Sequence, residues 1–301
     1  MAPASTRTLG SRLLTAHAWE DVRSRAPYRV ARLIEGAAIC SDVASLRRWL
    51  ATRPSGPRQL VELRLRPLGG ERFRIRSGTA DVWALPDTFL PADHLPPPEI
   101  DPAGVRLIWD LGANVGSSMA HLATVCQQAR VIGVELDGEN AELCRTNIAP
   151  WTPRAELLNA AVWIHDGEVR YARDGGDELS FHIDEDADPT GAEDTVPAFS
   201  LDTLLAQHGG GAIVDYVKMD IEGAEQRVLR EQTGWARHVR SIKVEVHEPY
   251  GVEDCVADLR RLGFRAWPDS KHTGRTGKPP VIGVRDDAVA PPAAAPAPAG
   301  A

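Results

Sequence analysis

The chain has 301 residues, 43% apolar and 25% charged, with a net charge of −8. This is the composition of an ordinary soluble globular protein with ample core for one large domain or one domain plus a smaller module. No apolar run approaches the roughly 18 residues of a membrane span, no secretory signal opens the chain, and no Lys/Arg cluster interleaved with aromatics suggests a nucleic-acid groove. The four cysteines (Cys40, Cys126, Cys144, Cys255) are widely spaced without a C-x-x-C pair. That spacing argues against a zinc or disulfide scaffold and fits a reducing, cytoplasmic setting. Charge is uneven: residues 1–100 carry 15 Arg against 10 acids, so the remainder is strongly acidic. A basic first third suits either a solvated face or guidance of an anionic substrate.

Residues 1–60 read as mainly helical, with apolar spacing of three and four over Trp19–Arg25, Val30–Ile39 and Val43–Leu50. The period then changes to two, and Gly69-Gly70 divides the segment Gln59–Trp83 as a β-hairpin would. Pro91–Pro102, dense in proline, predicts an extended connector. From Val105 strands alternate with helices: strands over 105–110, 131–135, 155–160, 213–219 and 240–246, helices near 117–127, 139–148, 200–207, 223–231 and 252–262. Such alternation predicts an α/β, doubly wound, mostly parallel Rossmann-like sheet. Phe264–Trp267 and Val281–Arg285 suit a final hairpin with an antiparallel strand near the sheet edge. Ile183–Val196 holds six acids and no base, which predicts a mobile loop, either simply solvated or a lid. Ala288–Ala301 is almost all Ala and Pro and should be a disordered tail. The expected organisation is a helical and hairpin module over 1–100, a main domain over 101–287 and the tail over 288–301.

Two motifs carry chemistry. The apolar run Val105–Trp109 ends in Asp110-Leu-Gly112-Ala-Asn114-Val-Gly116, a strand breaking into a glycine turn ahead of a helix. Such a turn aims backbone N–H groups and a helix N-terminus at a ligand. The next strand ends in Glu135, placed to accept hydrogen bonds from both hydroxyls of a ribose. Asn114 interrupts the G-x-G-x-x-G rhythm and obstructs the close approach a pyrophosphate needs, which leans away from NAD and toward S-adenosylmethionine. Farther on, period-two alternation puts Lys218 and Asp220 on one face of their strand and Val217 and Met219 on the other. Lys243, Glu245 and His247 share a face in the strand after it. These strands deliver Lys218, Asp220, Glu222, Glu245 and His247 to one rim, at the carboxyl ends where open α/β sheets bind ligands.

With those residues the chain resembles the FkbM family of S-adenosylmethionine-dependent methyltransferases. The resemblance is carried by Ile108–Gly116, Val134–Asn140 with Asn147, Asn159–Val162, Ser200–Leu205, Val217–Glu225 and Lys243–His247, and covers roughly residues 70–285. Arg76–Asp81 and Phe89 resemble the family's lead-in to the first strand. The turn after Glu135 departs from the family's usual acid-Pro, having Leu136-Asp137 instead, and the helical residues 1–60 lie outside the likeness. The resemblance implies methyl transfer from S-adenosylmethionine to a hydroxyl of a small molecule, a sugar or secondary-metabolite intermediate.

On that reading the cofactor meets backbone at Gly112 and Gly116, with Asp110 or Asn114 nearby. Glu135 holds the ribose and Ala161 borders adenine. His247 is the natural base, oriented by Asp220, which alternatively contacts the cofactor's amine. Lys218 either stabilises a developing alkoxide or pairs with Glu222. A divalent metal held by Asp220, Glu222, Glu245 and His247 stays open. Two rivals remain: an NAD-dependent oxidoreductase on the same sheet, and a non-catalytic module that kept the fold. No nucleic-acid or membrane partner is expected. The N-terminal helices serve either acceptor binding or pairing of two chains.

Overall fold

In the computed structural model, residues 26–173, 181–183, 194–270 and 277–291 are described. Two helices come first, α1 (Tyr28–Ile39) and α2 (Val43–Ala51). Asp42 caps α2 by accepting the Ser45 N–H at 2.7 Å, as a short acid at an N-cap should. The hairpin follows as β1 (Gln59–Arg64) and β2 (Arg72–Ser77), in register from Gln59 opposite Ser77 to Arg64 opposite Arg72. After it the chain forms α3 (Asp81–Phe89), so the segment beyond residue 80 is helical rather than strand.

The main sheet has seven strands. In chain order they are β3 (Leu107–Leu111), β4 (Arg130–Glu135), β5 (Ala155–Asn159), β10 (Tyr216–Met219), β11 (Ser241–Val244), β12 (Arg265–Pro268) and β13 (Val281–Val284). Their spatial order is β12-β13-β11-β10-β3-β4-β5, parallel except for β13, which runs antiparallel to both β11 and β12. Helices α4 (Ser117–Val125), α5 (Gly138–Ile148), α6 (Leu201–His208), α7 (Glu225–Arg230) and α8 (Val252–Arg261) connect or flank the strands. Every residue of β3 is buried, because its alternate side chains feed two cores. Leu107, Trp109 and Leu111 pack with Val217, Met219 and Val244 on one face; Ile108 packs with Met119, Leu122 and Tyr216 on the other. The strand order reverses between β3 and β10, the position at which such sheets open a crevice.

Several elements differ from the sequence reading. A second sheet, β6 (Ala161–Val162), β7 (Gly167–Arg173), β8 (Phe181–Ile183) and β9 (Asp194–Phe199), in the order β6-β9-β7-β8, was not foreseen. It takes in both ends of the acidic segment read as a loop; residues 184–193 lie outside the described residues, as do Trp19–Arg25 and 292–301. The helix expected from 223 begins at Glu225, since Glu222 (φ 52°) and Gly223 (φ 106°) are left-handed and cannot start a right-handed helix. The proline-rich 91–102 stretch is a series of turns that buries His94 rather than a bare connector. The hydrophobic cluster of residues 39–89 runs on into Val115, Ala120 and Leu143. No helix among the described residues is long and apolar enough to cross a membrane.

Candidate functional site

The glycine turn leaves β3 at Gly112 (φ 83°), and the Gly112 and Ala113 N–H groups both donate to the Val134 carbonyl at 3.0 Å. A Cβ on Gly112 would overlap the Asp220 carbonyl oxygen, so the bend and the end of β10 touch backbone to backbone. Only glycine allows that approach at that φ. The two motifs therefore meet in one place. Lys218, Cα partner of Asp110 across the β3–β10 ladder, donates from Nζ to the Gly112 carbonyl at 2.7 Å. Its Nζ also lies 3.2 Å from Asp220 Oδ2 and 3.4 Å from Asp110 Oδ1. Burial works against its charge, but the Asp220 and Asp110 carboxylates outweigh it and hold its pKa above the ordinary lysine value. Lys218 is thus a fixed cation pinning the turn; its partners are Asp110 and Asp220, not Glu222.

Asp110 is fully buried and accepts the Ser118 hydroxyl at 2.5 Å, and burial pushes its carboxyl up despite Lys218. It supports the crevice floor from beneath and is not among the residues that line it. Gly116 likewise lies away from the crevice. It is left-handed at the N-cap of α4, and a Cβ there would press on Cys144 and Ile148 of α5. Its glycine serves helix packing, a correction to the expected cofactor contact.

Glu135 ends β4 with 5% exposure. Its Oε2 accepts the Asn114 N–H at 2.7 Å and its Oε1 the Asp137 N–H at 2.9 Å. Burial dominates those bonds and pushes the carboxyl up to about 7. Asn114 (φ 49°) turns its own side chain back, with Oδ1 accepting the Val115 N–H at 2.6 Å. A crevice open to solvent runs past these groups. Gly112, Asn114, Glu135, Ala161, Lys218 and Asp220 line it together with Glu222 and Glu245.

His247 stands just behind this rim. Its Nδ1 is 2.9 Å from Glu225 Oε1, and its Nε2 is 3.3 Å from Glu222 Oε2 and 3.6 Å from Asp220 Oδ1. Burial lowers its pKa, but the Glu225 hydrogen bond and the charges of Asp220, Glu225 and Glu222 prevail and raise it to about 9. Carboxylates facing both ring nitrogens favour the protonated imidazole, which counts against its expected role as base. Glu225, unassigned from sequence, is the organiser: fully buried, it accepts the Ile221 N–H at 3.0 Å and the Gly223 N–H at 2.9 Å as well as facing His247.

The other wall was missed. Asp87, Thr88, Asp93 and His94, from α3 and the turns after it, line the crevice opposite the main sheet. His94 Nε2 lies 3.1 Å from His121 Nδ1. Burial, then His121 and the two lysines Lys218 and Lys243, keep His94 neutral, and burial lowers His121 to about 4. Pro91 to Pro98 gave no period from which such a wall could be read; the one signal was a histidine amid prolines.

A glycine bend at the carboxyl end of the first parallel strand, an acid closing the second and an open crevice between them define the class: an S-adenosylmethionine-dependent methyltransferase with a Rossmann-like α/β fold. Residues 110–266 match the model of the methyltransferase FkbM domain, more than half the chain, and the protein belongs to that family. Among solved structures, precorrin-6y C5,15-methyltransferase from Geobacter metallireducens is 12% identical, over 60% of this chain and 81% of that one, with a TM-score of 0.37. The METTL16 MTase domain is 11% identical over 60% of each chain, with a TM-score of 0.40. A TehB-like SAM-dependent methyltransferase from Corynebacterium glutamicum is 12% identical over 60% and 80%, with a TM-score of 0.34. No curated protein matches. The family match alone carries the assignment.

Proposed function

We propose that the protein methylates a hydroxyl group of a small, uncharged, polyhydroxylated acceptor such as a sugar or a secondary-metabolite intermediate. One observation carries this reading: six of the crevice-lining side chains are acids (Asp87, Asp93, Glu135, Asp220, Glu222, Glu245), against Lys218, which is committed to the glycine turn, and His94. Carboxylates accept hydrogen bonds from hydroxyls and repel carboxylate or phosphate acceptors. Among the described residues 26–100, no arginine lines the crevice, so the lining itself gives no support to an anionic acceptor.

S-adenosylmethionine, when bound, supplies a methyl group already attached to a good leaving group. What remains for the chain is alignment, exclusion of water and removal of one proton. Gly112 and Asn114 are assigned to the cofactor's methionine end, Glu135 to its ribose hydroxyls and Ala161 to the adenine edge. Asp220, Glu222 and Glu245 hold the acceptor hydroxyl and take its proton. Lys218 pairs with Asp220 and keeps the turn in place.

The reading is tested with methyl-labelled S-adenosylmethionine and a panel of neutral sugars and polyols, alongside carboxylic acids and amines. Label that resists mild alkali, as an ether does, supports it; label that enters only the acids or amines overturns it. Asp220→Asn should lower turnover by roughly 10²–10⁴-fold while S-adenosylhomocysteine affinity stays within a few-fold.

A further inference from the structure

We propose that Asp220, Glu222 and His247 form a binding site for a divalent first-row metal ion on the wall of the crevice. One donor atom from each of the three converges so that all lie within 4.8 Å of one another. Two of the three donor spacings are close to what a coordination sphere requires. Donors about 2.0–2.2 Å from a metal stand roughly 3.0–3.5 Å apart around it. His247 Nε2 is 3.3 Å from Glu222 Oε2 and 3.6 Å from Asp220 Oδ1, close to such edges before any adjustment. A pair of carboxylates with one imidazole suits Mn²⁺, Fe²⁺ or Zn²⁺ better than Ca²⁺, which prefers an all-oxygen shell.

The imidazole is also presented correctly. Its Nδ1 faces the wholly buried Glu225 at 2.9 Å, which fixes the ring and leaves Nε2 directed at the two rim carboxylates. Ligating histidines are held this way, by a carboxylate on the far nitrogen, and the metal ion takes the place of the Nε2 proton, which is released to solvent. Glu225 itself is locked by the Ile221 and Gly223 N–H groups, so the ring, the loop and the two acids are one unit. Glu245, on the same rim, lies outside the convergent set.

Three protein ligands leave positions open toward the crevice that Asp220 and Glu222 line. A metal ion held there would make a ligated hydroxyl a stronger acid. The site would thus supply part of the deprotonation assigned above to the rim carboxylates. It rests on the hydroxyl reading for its purpose, but its existence can be tested without any acceptor.

Metal-free full-length protein is titrated with Mn²⁺ alone, and free Mn²⁺ is followed by its electron paramagnetic resonance signal. Saturable binding of one ion per chain is expected, retained when S-adenosylhomocysteine is present. Glu222→Gln, at a partly exposed position, and Glu225→Gln should each weaken it roughly 10–100-fold with the thermal transition still cooperative. Absence of saturable binding below the millimolar range overturns the proposal. So does binding of equal strength in the parent and in folded Glu222→Gln, which would place the ion elsewhere. Neither result bears on whether the methyl goes to oxygen.

Discussion

Glu135 is the residue whose environment makes the sharpest demand on solution behaviour. A carboxyl raised to about 7 by burial ionises between roughly pH 6 and 8 in the free chain. The ribose hydroxyls assigned to it are donors, so they favour the ionised form, and cofactor binding should release a proton wherever the free carboxyl is still protonated. The sign is therefore fixed: affinity for S-adenosylhomocysteine rises with pH through this range and levels off above it. The rise should approach tenfold per unit well below pH 7. Calorimetry at pH 6, 7 and 8 reads it directly. Glu135→Gln should bind weakly and without that slope; a parent affinity flat across the range would remove Glu135 from the ribose. Glu135 was legible in sequence because an acid ending an apolar strand rarely stands alone. Its raised pKa was not, since it follows from how completely Asn114, Asp137 and the strand bury it.

At the scale of elements, the meeting of β3 and β10 decides whether the site exists. Their parallel pairing sets Asp110 beside Lys218, and Gly112 beyond it lies against the Asp220 carbonyl. Gly112→Ala brings both a left-handed φ and a backbone overlap that no rotamer can relieve. It should cost about 2–4 kcal/mol. For a chain this size that lowers the melting temperature by roughly 4–16 °C, and S-adenosylhomocysteine should no longer protect. An unchanged melting curve would show that the turn and β10 do not touch. The strands of this sheet were readable because each is an apolar run with a distinct end. The second sheet was hidden for local reasons. β9 begins inside the acid-rich run and contains Pro197, which argues against an interior strand. The ladder tolerates it because β6 pairs only with Ala198 and Phe199, leaving Pro197 at an edge on that side. The left-handed pair Glu222–Gly223 was equally invisible, since nothing in the sequence marks a glutamate for positive φ. Of the rim, sequence alternation grouped Lys218 with Asp220 correctly. It could not tell that Lys218 points to the turn and His247 to a buried acid, because both depend on partners brought in from other elements.

For the whole molecule, the question is whether residues 26–100 are a separable module or part of one folding unit. Their apolar cluster includes Ile39, Trp49, Phe73 and Phe89 and continues without a break into Val115, Ala120 and Leu143 of the main domain. The polar seam is equally tight. Asn147 of α5 is buried, accepts the Arg74 N–H at 2.8 Å, and donates to the carbonyls of Arg74 at 2.9 Å and Val115 at 2.8 Å. Beside it, Arg76 Nη2 donates to Asn140 Oδ1 at 2.6 Å while also pairing with Asp81. The same segment supplies Asp87, Asp93 and His94 to the crevice, so the site is complete only when this seam is closed. We therefore expect a single cooperative thermal transition for the full chain, moved upward as one by S-adenosylhomocysteine. Asn147→Ala leaves one N–H and two carbonyls without their Asn147 partner at a largely buried seam, a cost of about 2–4 kcal/mol. The transition should fall in temperature yet stay single, because loosening the seam loosens both cores. Scanning calorimetry separates the alternatives: two resolved transitions, with only the lower one moved by Asn147→Ala, would make the first hundred residues an independent domain and the crevice an interface between two bodies.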